Sequence, residues 1–462
     1  MSSDKSGDKH HSVKSLPPIL LHQLETVTGF SEDAFIAAHQ LPAATSIRLH
    51  PKKQSNSFHS SSTVPWCAQG RYLSERPVFT LDPAYHAGAY YVQEASSMFL
   101  DYLIRALVPE RKNLRVLDLC GAPGGKSTLL ASLLDDSSLL ISNEVIRSRA
   151  TILEENAVRW GYANNWVTSN DPKDIGRIGG YFDLIVVDAP CSGSGLFRKD
   201  QAALEDWTEA NVQLCSQRQK RIIADVWPSL KEDGILIYAT CSYSPEEDEQ
   251  ILDWLGSEYD VETLNVDVPA EWGITSTESD GGLRGYRFFP DKVKGEGFFI
   301  AAIRKKEQSE SAKHLRYKSL ADAKAKQQSS YLLSREDLIV IPASKESFHA
   351  IAPDHEADWH ILQKQLYFRK TGVALGMPSA REWIPAHDIA LSIVRSTSLK
   401  AVELNREQAL KYLKREDMSM PLTDKGWLLM TYEGLGLGWI KSLGNRFNNY
   451  LPKHWRIRMD IE

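Results

Sequence analysis

Between residues 114 and 303 the chain repeats one pattern: a short apolar run that ends on a polar or reactive residue, followed by a stretch with helical spacing. The runs cover 115–120, 139–144, 166–171, 182–188, 234–239 and 297–303. Short, almost wholly apolar runs read as strands buried on both faces. Between the second and third, Ala150, Leu153, Ala157 and Trp160 recur at helical intervals, and 201–231 reads as one or two amphipathic helices. Alternation of this length predicts an α/β fold with a doubly wound, mostly parallel sheet and right-handed crossovers. Such sheets bind ligands outside the carboxyl ends of their strands. The residues that close the runs are therefore the first functional candidates: Cys120, Glu144, Asp171 and Asp188, and the two cysteines just beyond the fourth and fifth runs, Cys191 and Cys241.

Those two cysteines stand in Asp188-Ala189-Pro190-Cys191-Ser192-Gly193 and Thr240-Cys241-Ser242-Tyr243. Neighbouring strands lie about 4.8 Å apart. If the two runs are neighbours, both thiols emerge at one sheet edge, which fits a nucleophile with a helper thiol better than two core cysteines. The other cysteines read as structural or unassigned: Cys215 in a helical stretch, Cys120 at a strand end, and Cys67. Five cysteines without zinc-finger spacing predict free thiols in a reducing compartment and no metal site. Residues 1–15 carry Lys5, Lys9, His10 and His11 and no apolar core, and no run of about 18 apolar residues occurs. The expectation is a cytoplasmic protein without a membrane span.

The segment Cys120-Gly121-Ala122-Pro123-Gly124-Gly125-Lys126-Ser127 follows the first run and opens a helix. A triphosphate-binding loop needs a glycine where Cys120 stands, and Gly121 comes one residue too late. The dinucleotide pattern Gly-x-Gly-x-x-Gly is absent as well. What is left is a glycine turn that lets backbone approach a ligand, with Glu144 at the next strand end able to accept hydrogen bonds from ribose hydroxyls. A nucleoside without a triphosphate, S-adenosyl-L-methionine, suits this set. The cofactor candidates are Cys120, Gly121, Ala122, Pro123, Gly124, Gly125, Lys126, Glu144, Asp171 and Asp188.

Together these stretches resemble the Nol1/Nop2/Sun family of RNA cytosine-C5 methyltransferases. The resemblance runs over roughly residues 90–305 and includes Leu196-Phe197-Arg198-Lys199-Asp200, Gln217-Arg218-Gln219-Lys220 and Gly295-Glu296-Gly297-Phe298-Phe299. The arginine-lysine stretch and the glycine- and tryptophan-rich end (426–441) are most similar to the RsmF-like bacterial subgroup. That implies a Rossmann-like methyltransferase sheet, 16S rRNA as substrate, possession of a PUA-like RNA-binding β-barrel at the end, and action on RNA within the 30S subunit. The implied parts are a disordered tail (1–14), a small α/β RNA-binding domain (15–107), the methyltransferase domain (108–306), a linker or exposed helix (307–330) and the C-terminal region (331–462). A tRNA methyltransferase of the same fold, or a non-catalytic assembly factor with a vestigial site, are the competing readings. Gly121 stands where relatives often carry alanine.

The resemblance assigns Cys241 as the nucleophile that attacks cytosine C6, Cys191 to the release phase, and Asp188 to the ring at N3 or N4. A thiol of ordinary pKa about 8.5 needs help to ionise at neutral pH. The Ser244-Pro245-Glu246-Glu247 capping box, read as opening a helix just after Cys241, would supply it. Arg48, Arg198 and Lys199 are candidates for phosphate contacts. Tyr90, Tyr91, Phe288 and Phe289 are candidate stacking rings, though aromatics are more often core. Net charge is −6, so RNA binding would rest on local basic clusters: Arg304 to Lys306, Lys313 to Lys326, and Lys441, Arg446, Lys453, Arg456 and Arg458.

Overall fold

The computed structural model describes residues 15–309, 316–343, 347–422 and 424–459; the tail expected at 1–14 and Lys313 lie outside them. The alternating region builds the central sheet. Its strands are β1 Arg115–Asp118, β2 Leu139–Asn143, β3 Asn165–Thr168, β4 Phe182–Asp188, β5 Leu230–Thr240, β6 Val261–Thr263, β7 Thr275–Glu278, β8 Arg284–Phe288, β9 Phe298–Lys305 and β10 Phe368–Lys370. The order is β7-β8-β9-β5-β4-β1-β2-β3-β10, with β6 paired to β9. From β3 to β5 every pairing is parallel. The chain turns antiparallel at β9 on one side and at β10 on the other.

Period-two alternation sends side chains of each strand to two separate cores. Val116, Leu140, Val186 and Ile237 face one way, toward Leu100, Leu103 and Ile104 of the helix Phe99–Leu107. Leu117, Ile141, Ile185 and Leu236 face the other, toward Ile222, Ile223, Ile251 and Leu252. The helices between strands are α1 Gly125–Leu133, α2 Arg147–Trp160, α3 Pro172–Gly176, α4 Gln201–Asp206, α5 Glu209–Val226 and α6 Glu249–Glu258. Strand order reverses at β1, the point where doubly wound sheets open a ligand crevice.

The N-terminal part is a small α/β unit, with a four-stranded antiparallel sheet (Thr63–Val64, Cys67–Leu73, Thr45–Leu49, Tyr90–Val92) and the helices Pro18–Leu24 and Glu32–His39. Phe35 from these helices packs edge-on against Tyr243, ring centroids 4.9 Å apart, two residues past Cys241. The C-terminal region holds two four-stranded sheets that share one core through Val373, Leu375, Leu429 and Trp439. Ala325, on the helix Ala323–Ser329 in the expected linker, packs into that core. Among the described residues no helix is long and apolar enough to cross a membrane.

Several sequence expectations change here. Tyr90, Phe288 and Phe289 are core residues in three separate clusters, as aromatics more often are, and Tyr91 packs half-buried against the cluster that holds Phe288. Arg48 is not a phosphate contact. Its guanidinium is buried, bonds Gln93 Oε1 (2.8 Å) and Thr128 Oγ1 (2.7 Å), and lies 4.6 Å from the Trp160 ring centre. In the cluster Arg304 to Lys306, Lys305 is buried on the Trp227 and Leu230 carbonyls, while Arg304 and Lys306 form surface ion pairs with Glu262 and Asp233.

Candidate active site

Register sets the site. Asp188, the last residue of β4, lies opposite Ala239 in β5, so the two strands end within one residue of each other. The segments beyond them then run side by side, and Gly195 N–H donates to the Cys241 carbonyl at 2.9 Å. The result is direct contact between the thiols: Cys191 Sγ and Cys241 Sγ are 2.9 Å apart. Both cysteines are half-buried residues rather than core ones.

The two sulfurs are not equivalent. Cys191 is pushed well above the ordinary thiol range, first by its hydrogen bond with Cys241, then by burial and by the negative fields of Cys241 and Glu247. It therefore keeps its proton and can donate it to Cys241. Cys241 in turn lies in the field of the Lys126 ammonium. Burial disfavours that ammonium, but Asp188 Oδ2 at 2.8 Å outweighs burial and the pKa of Lys126 rises. Lys126 is thus fixed by Asp188, with its charge acting on Cys241.

The helix dipole invoked from the sequence is not built as expected. Ser244 makes no side-chain cap, Pro245–Glu247 forms a single 3₁₀ turn, and α6 begins only at Glu249. The reason is competition. Glu247, which would complete a capping box, turns inward to Ser192, Ser242 and Gln219, and Ser244 N–H donates to Ser242 Oγ instead. Beneath the Cys241 segment a buried ion cluster takes over: Arg287 donates to the Tyr243 carbonyl (2.8 Å) and pairs with Asp248 and Glu249, while Thr240 donates to Asp248 (2.6 Å).

The glycine loop lies beside this pair. Gly121 N–H donates to the Asn143 carbonyl (2.7 Å), Arg149 donates to the Ala122 carbonyl (2.8 Å) and Asn156 to the Pro123 carbonyl (2.7 Å), so α2 holds the loop from outside. Gly124 has φ +121°, a conformation that favours glycine, and precedes the first turn of α1 at Gly125. A Cβ on Gly121 would fall 2.8 Å from Ser127 Oγ and 3.2 Å from Asp118 Oδ2, so alanine there requires Ser127 to move. Ser127 Oγ donates to Asp118 Oδ2 at 2.5 Å.

Four acids surround the loop. Burial raises Asp118 to about 7, opposed by the Ser127 hydrogen bond and reinforced by Asp188 and Glu144. Glu144 is buried; Oε1 accepts from Ile146 N–H (2.9 Å) and Arg149 is 3.4 Å from Oε2. Asp171 caps α3 through Lys173 N–H (3.0 Å) and is half-buried. Asp118 Oδ1 and Glu144 Oε2 are buried without hydrogen-bond partners. Unsatisfied buried carboxylate oxygens mark a place for donor groups, and an acid-rich cleft suits a ligand that carries positive charge and ribose hydroxyls. S-adenosyl-L-methionine has both, so the residues fit the group. Cys120 has its thiol pushed up by burial and by these acids, which leaves it inert.

Arg198 is a correction. Its guanidinium is buried in a fork on Glu296, both contacts 2.9 Å, and donates to the Gly295 carbonyl (2.6 Å), so it ties two sequence motifs together instead of meeting phosphate. Lys199 beside it is exposed. In the sequence Glu247 stands only as part of a capping box and Gln219 only as part of a matching stretch, and no local pattern marks Arg149 or the Arg287 cluster.

Comparison with known proteins now bears on this site. Residues 104–304 match the family described as 16S rRNA methyltransferase RsmB/F, residues 16–95 the N-terminal domain of 16S rRNA methyltransferase RsmF, and residues 399–457 the methyltransferase RsmF PUA domain. A ribosomal RNA small subunit methyltransferase F of Shewanella piezotolerans is 30% identical over 450 residues, 91% of this chain and 92% of that protein. The chain belongs to the RsmB/F family of 16S rRNA methyltransferases. A namesake in Psychromonas ingrahamii is also 30% identical, over 96% of this chain and 98% of that protein. Among solved structures, a methyltransferase homolog protein from Pyrococcus horikoshii is 28% identical with TM-score 0.50, over 63% of this chain and all of that one. NSun6 from the same organism, 20% identical with TM-score 0.52 over 63% of this chain and 99% of that one, shares the fold. The RsmB/F chain is thus an S-adenosyl-L-methionine-dependent rRNA methyltransferase on a Rossmann-like sheet, with RsmF-type N-terminal and PUA domains.

Proposed function

We propose that this RsmB/F enzyme methylates cytosine C5 in 16S rRNA through a covalent bond between Cys241 and C6. The observation that carries the reading is the contact of the two thiols at 2.9 Å on adjacent strand ends, with Lys126 and Asp188 beside them. Cytosine C5 is a poor nucleophile. Attack of the Cys241 thiolate on C6 pushes the C5–C6 electron pair toward C5 and makes it enamine-like. The Lys126 charge acts on that sulfur, and Asp188 holds the ring edge at N4, or at N3 once that nitrogen carries a proton, which offsets charge built up by the attack. When bound, S-adenosyl-L-methionine supplies the methyl group as an electrophile on sulfonium. Afterwards the C5 proton leaves, its electron pair restores the C5–C6 double bond, and Cys241 departs as thiolate. Cys191, in contact with Cys241, relays that proton: it gives its own to the departing Cys241 sulfur and takes the one from C5. Glu144 would hold the cofactor's ribose, the backbone from Cys120 to Gly125 would let it approach closely, and Asp118, Asp171 and Asp188 would face its remaining donors.

The substrate in this reading is RNA within the 30S subunit, in the cytoplasm, with the base drawn from a single-stranded or flipped position. The division into 15–107, 108–306 and 331–462 belongs to the same proposal. Incubation with labelled methyl donor and either 30S subunits, free 16S rRNA or tRNA tests it. The expected product is 5-methylcytosine in small-subunit RNA. Label on another base atom, or transfer to tRNA alone, refutes it.

A further inference from the structure

Each thiol is followed directly by a serine, and both serines donate to the same buried carboxylate. Ser192 Oγ and Ser242 Oγ reach Glu247 Oε2 at 2.5 and 2.6 Å. Ser192 N–H and Gln219 Nε2 reach Oε1 at 2.8 and 3.1 Å. Glu247 is fully buried. A carboxylate has about four acceptor sites and no donor, so these four donors saturate it. Burial raises its pKa, and the bonds from Ser192, Ser242 and Gln219 oppose that rise without cancelling it. Gln219 also donates to the Pro190 carbonyl (3.1 Å), which extends the tie to the residue before Cys191.

We propose that Glu247 is a positioning residue that sets the distance between Cys191 and Cys241, by fastening the residue after each thiol to one rigid acceptor. The cysteine segments leave different strands, and a shift of either would separate the sulfurs. Glutamine at this position keeps the oxygen that receives Ser192 N–H and Gln219, and the two serine hydroxyls can rotate to accept from its amide. Alanine removes every tie made through Glu247 and leaves the Gly195 N–H bond to the Cys241 carbonyl and the Tyr243 N–H bond to Ser194 Oγ. The importance of this spacing for methylation rests on the function proposed above; the spacing itself does not.

The experiment reads the spacing by chemistry unrelated to methyl transfer. The full-length protein is treated with diamide. Two thiols give up two protons and two electrons, diamide takes them and becomes the hydrazine, and a Cys191–Cys241 disulfide forms. Its rate is followed by peptide mass spectrometry and normalised to iodoacetamide alkylation of the same cysteines, which corrects for thiolate content. Glu247→Gln should match the wild type within about two-fold, and Glu247→Ala should be at least about ten-fold slower, with cofactor affinity unchanged. If Glu247→Ala does not fold, the Ser192→Ala/Ser242→Ala double variant replaces it under the same criterion. Wild-type rates in the alanine variant, or Glu247→Gln as slow as alanine, overturn the proposal. Slow disulfide formation with full methylation upholds the positioning role and refutes the chemical role assigned to the thiol pair.

Discussion

Arg287→Met is the perturbation whose cost the structure defines most closely. The guanidinium is almost wholly buried, pairs with Glu249 through Nε (2.7 Å) and Nη2, lies 3.1 Å from Asp248, and donates to the Tyr243 carbonyl. Burial keeps Asp248 well above the ordinary carboxylate range, whereas Arg287 outweighs burial at Glu249 and holds it low. The cluster therefore contains one buried carboxylate that depends on one cation. Removing the partner of a buried charge costs about 3–5 kcal/mol. With about 2–4 °C per kcal/mol for a domain of this size, the melting temperature should fall by roughly 6–20 °C. The sign of the pH effect follows. With Arg287 present, Glu249 is held low and adds stability above its unfolded pKa, lost as pH falls through the folded one. Without Arg287 burial raises its folded pKa, so the deficit grows with pH above about 4.5 and is smaller at pH 5 than at pH 7.5. Thermal unfolding at both values measures it, and adding Glu249→Gln should recover most of the loss. A deficit under about 1 kcal/mol at pH 7.5, or one that widens as pH falls, would falsify this account of the cluster that supports Cys241.

Cys241→Ala should abolish methyl transfer, whereas Cys191→Ala should leave a protein–RNA adduct that survives denaturing electrophoresis; the opposite pattern exchanges the two roles. Glu144→Ala deletes a buried acceptor whose Oε2 has the Arg149 ion pair but no hydrogen bond, and at about 1.5–3 kcal/mol for a charged hydrogen bond calorimetry with S-adenosylhomocysteine should give a Kd raised roughly 10- to 150-fold. An unchanged Kd removes Glu144 from the cofactor site. Asp118, raised to about 7 by burial, must lose its proton to face a cationic ligand, so cofactor affinity should improve as pH rises from 6 to 8 and flatten in Asp118→Asn. Affinity that weakens over that range in the wild type contradicts this. The same group adds stability that is full below its ordinary pKa and lost as pH rises through about 7, a slope the asparagine variant should lack.

The sheet and its strand-end residues were legible in the sequence because both follow from local pattern. Complete burial makes β2 apolar throughout, and a run such as 182–188 ends where the chain must turn. The meeting of Cys191 and Cys241 was legible for the same reason, since it requires only that two adjacent strands end in register. The partners of charged groups were not. Arg198 meets Glu296 across 98 positions and Arg48 meets Thr128 across 80, and no periodicity encodes such pairs. Ser244 and Glu247 fit a capping box locally, but Ser192 and Gln219 from distant segments compete for the carboxylate and win.

The same pairings redistribute the charge available to RNA. Arg48 and Arg198, two arginines that sequence position offered to phosphate, are consumed inside the protein, where they fasten the glycine-loop helix to the N-terminal sheet and the Arg198 motif to Glu296. Lys126 is consumed by Asp188. Buried, paired cations contribute little to the counterion release that drives RNA binding. Of the sequence candidates, Lys199 near the site, Lys306, Arg316, Lys318 and Lys324 between the sheet and the C-terminal region, and Arg446, Lys453, Arg456 and Arg458 in the RsmF-type PUA region are exposed. A chain with net charge −6 therefore offers RNA its exposed basic clusters away from the thiols, while the cations around the thiols serve internal geometry. It follows that salt should weaken RNA capture far more than it weakens the reactivity of Cys241, because the field of Lys126 on that sulfur acts within a buried cluster that ions screen poorly.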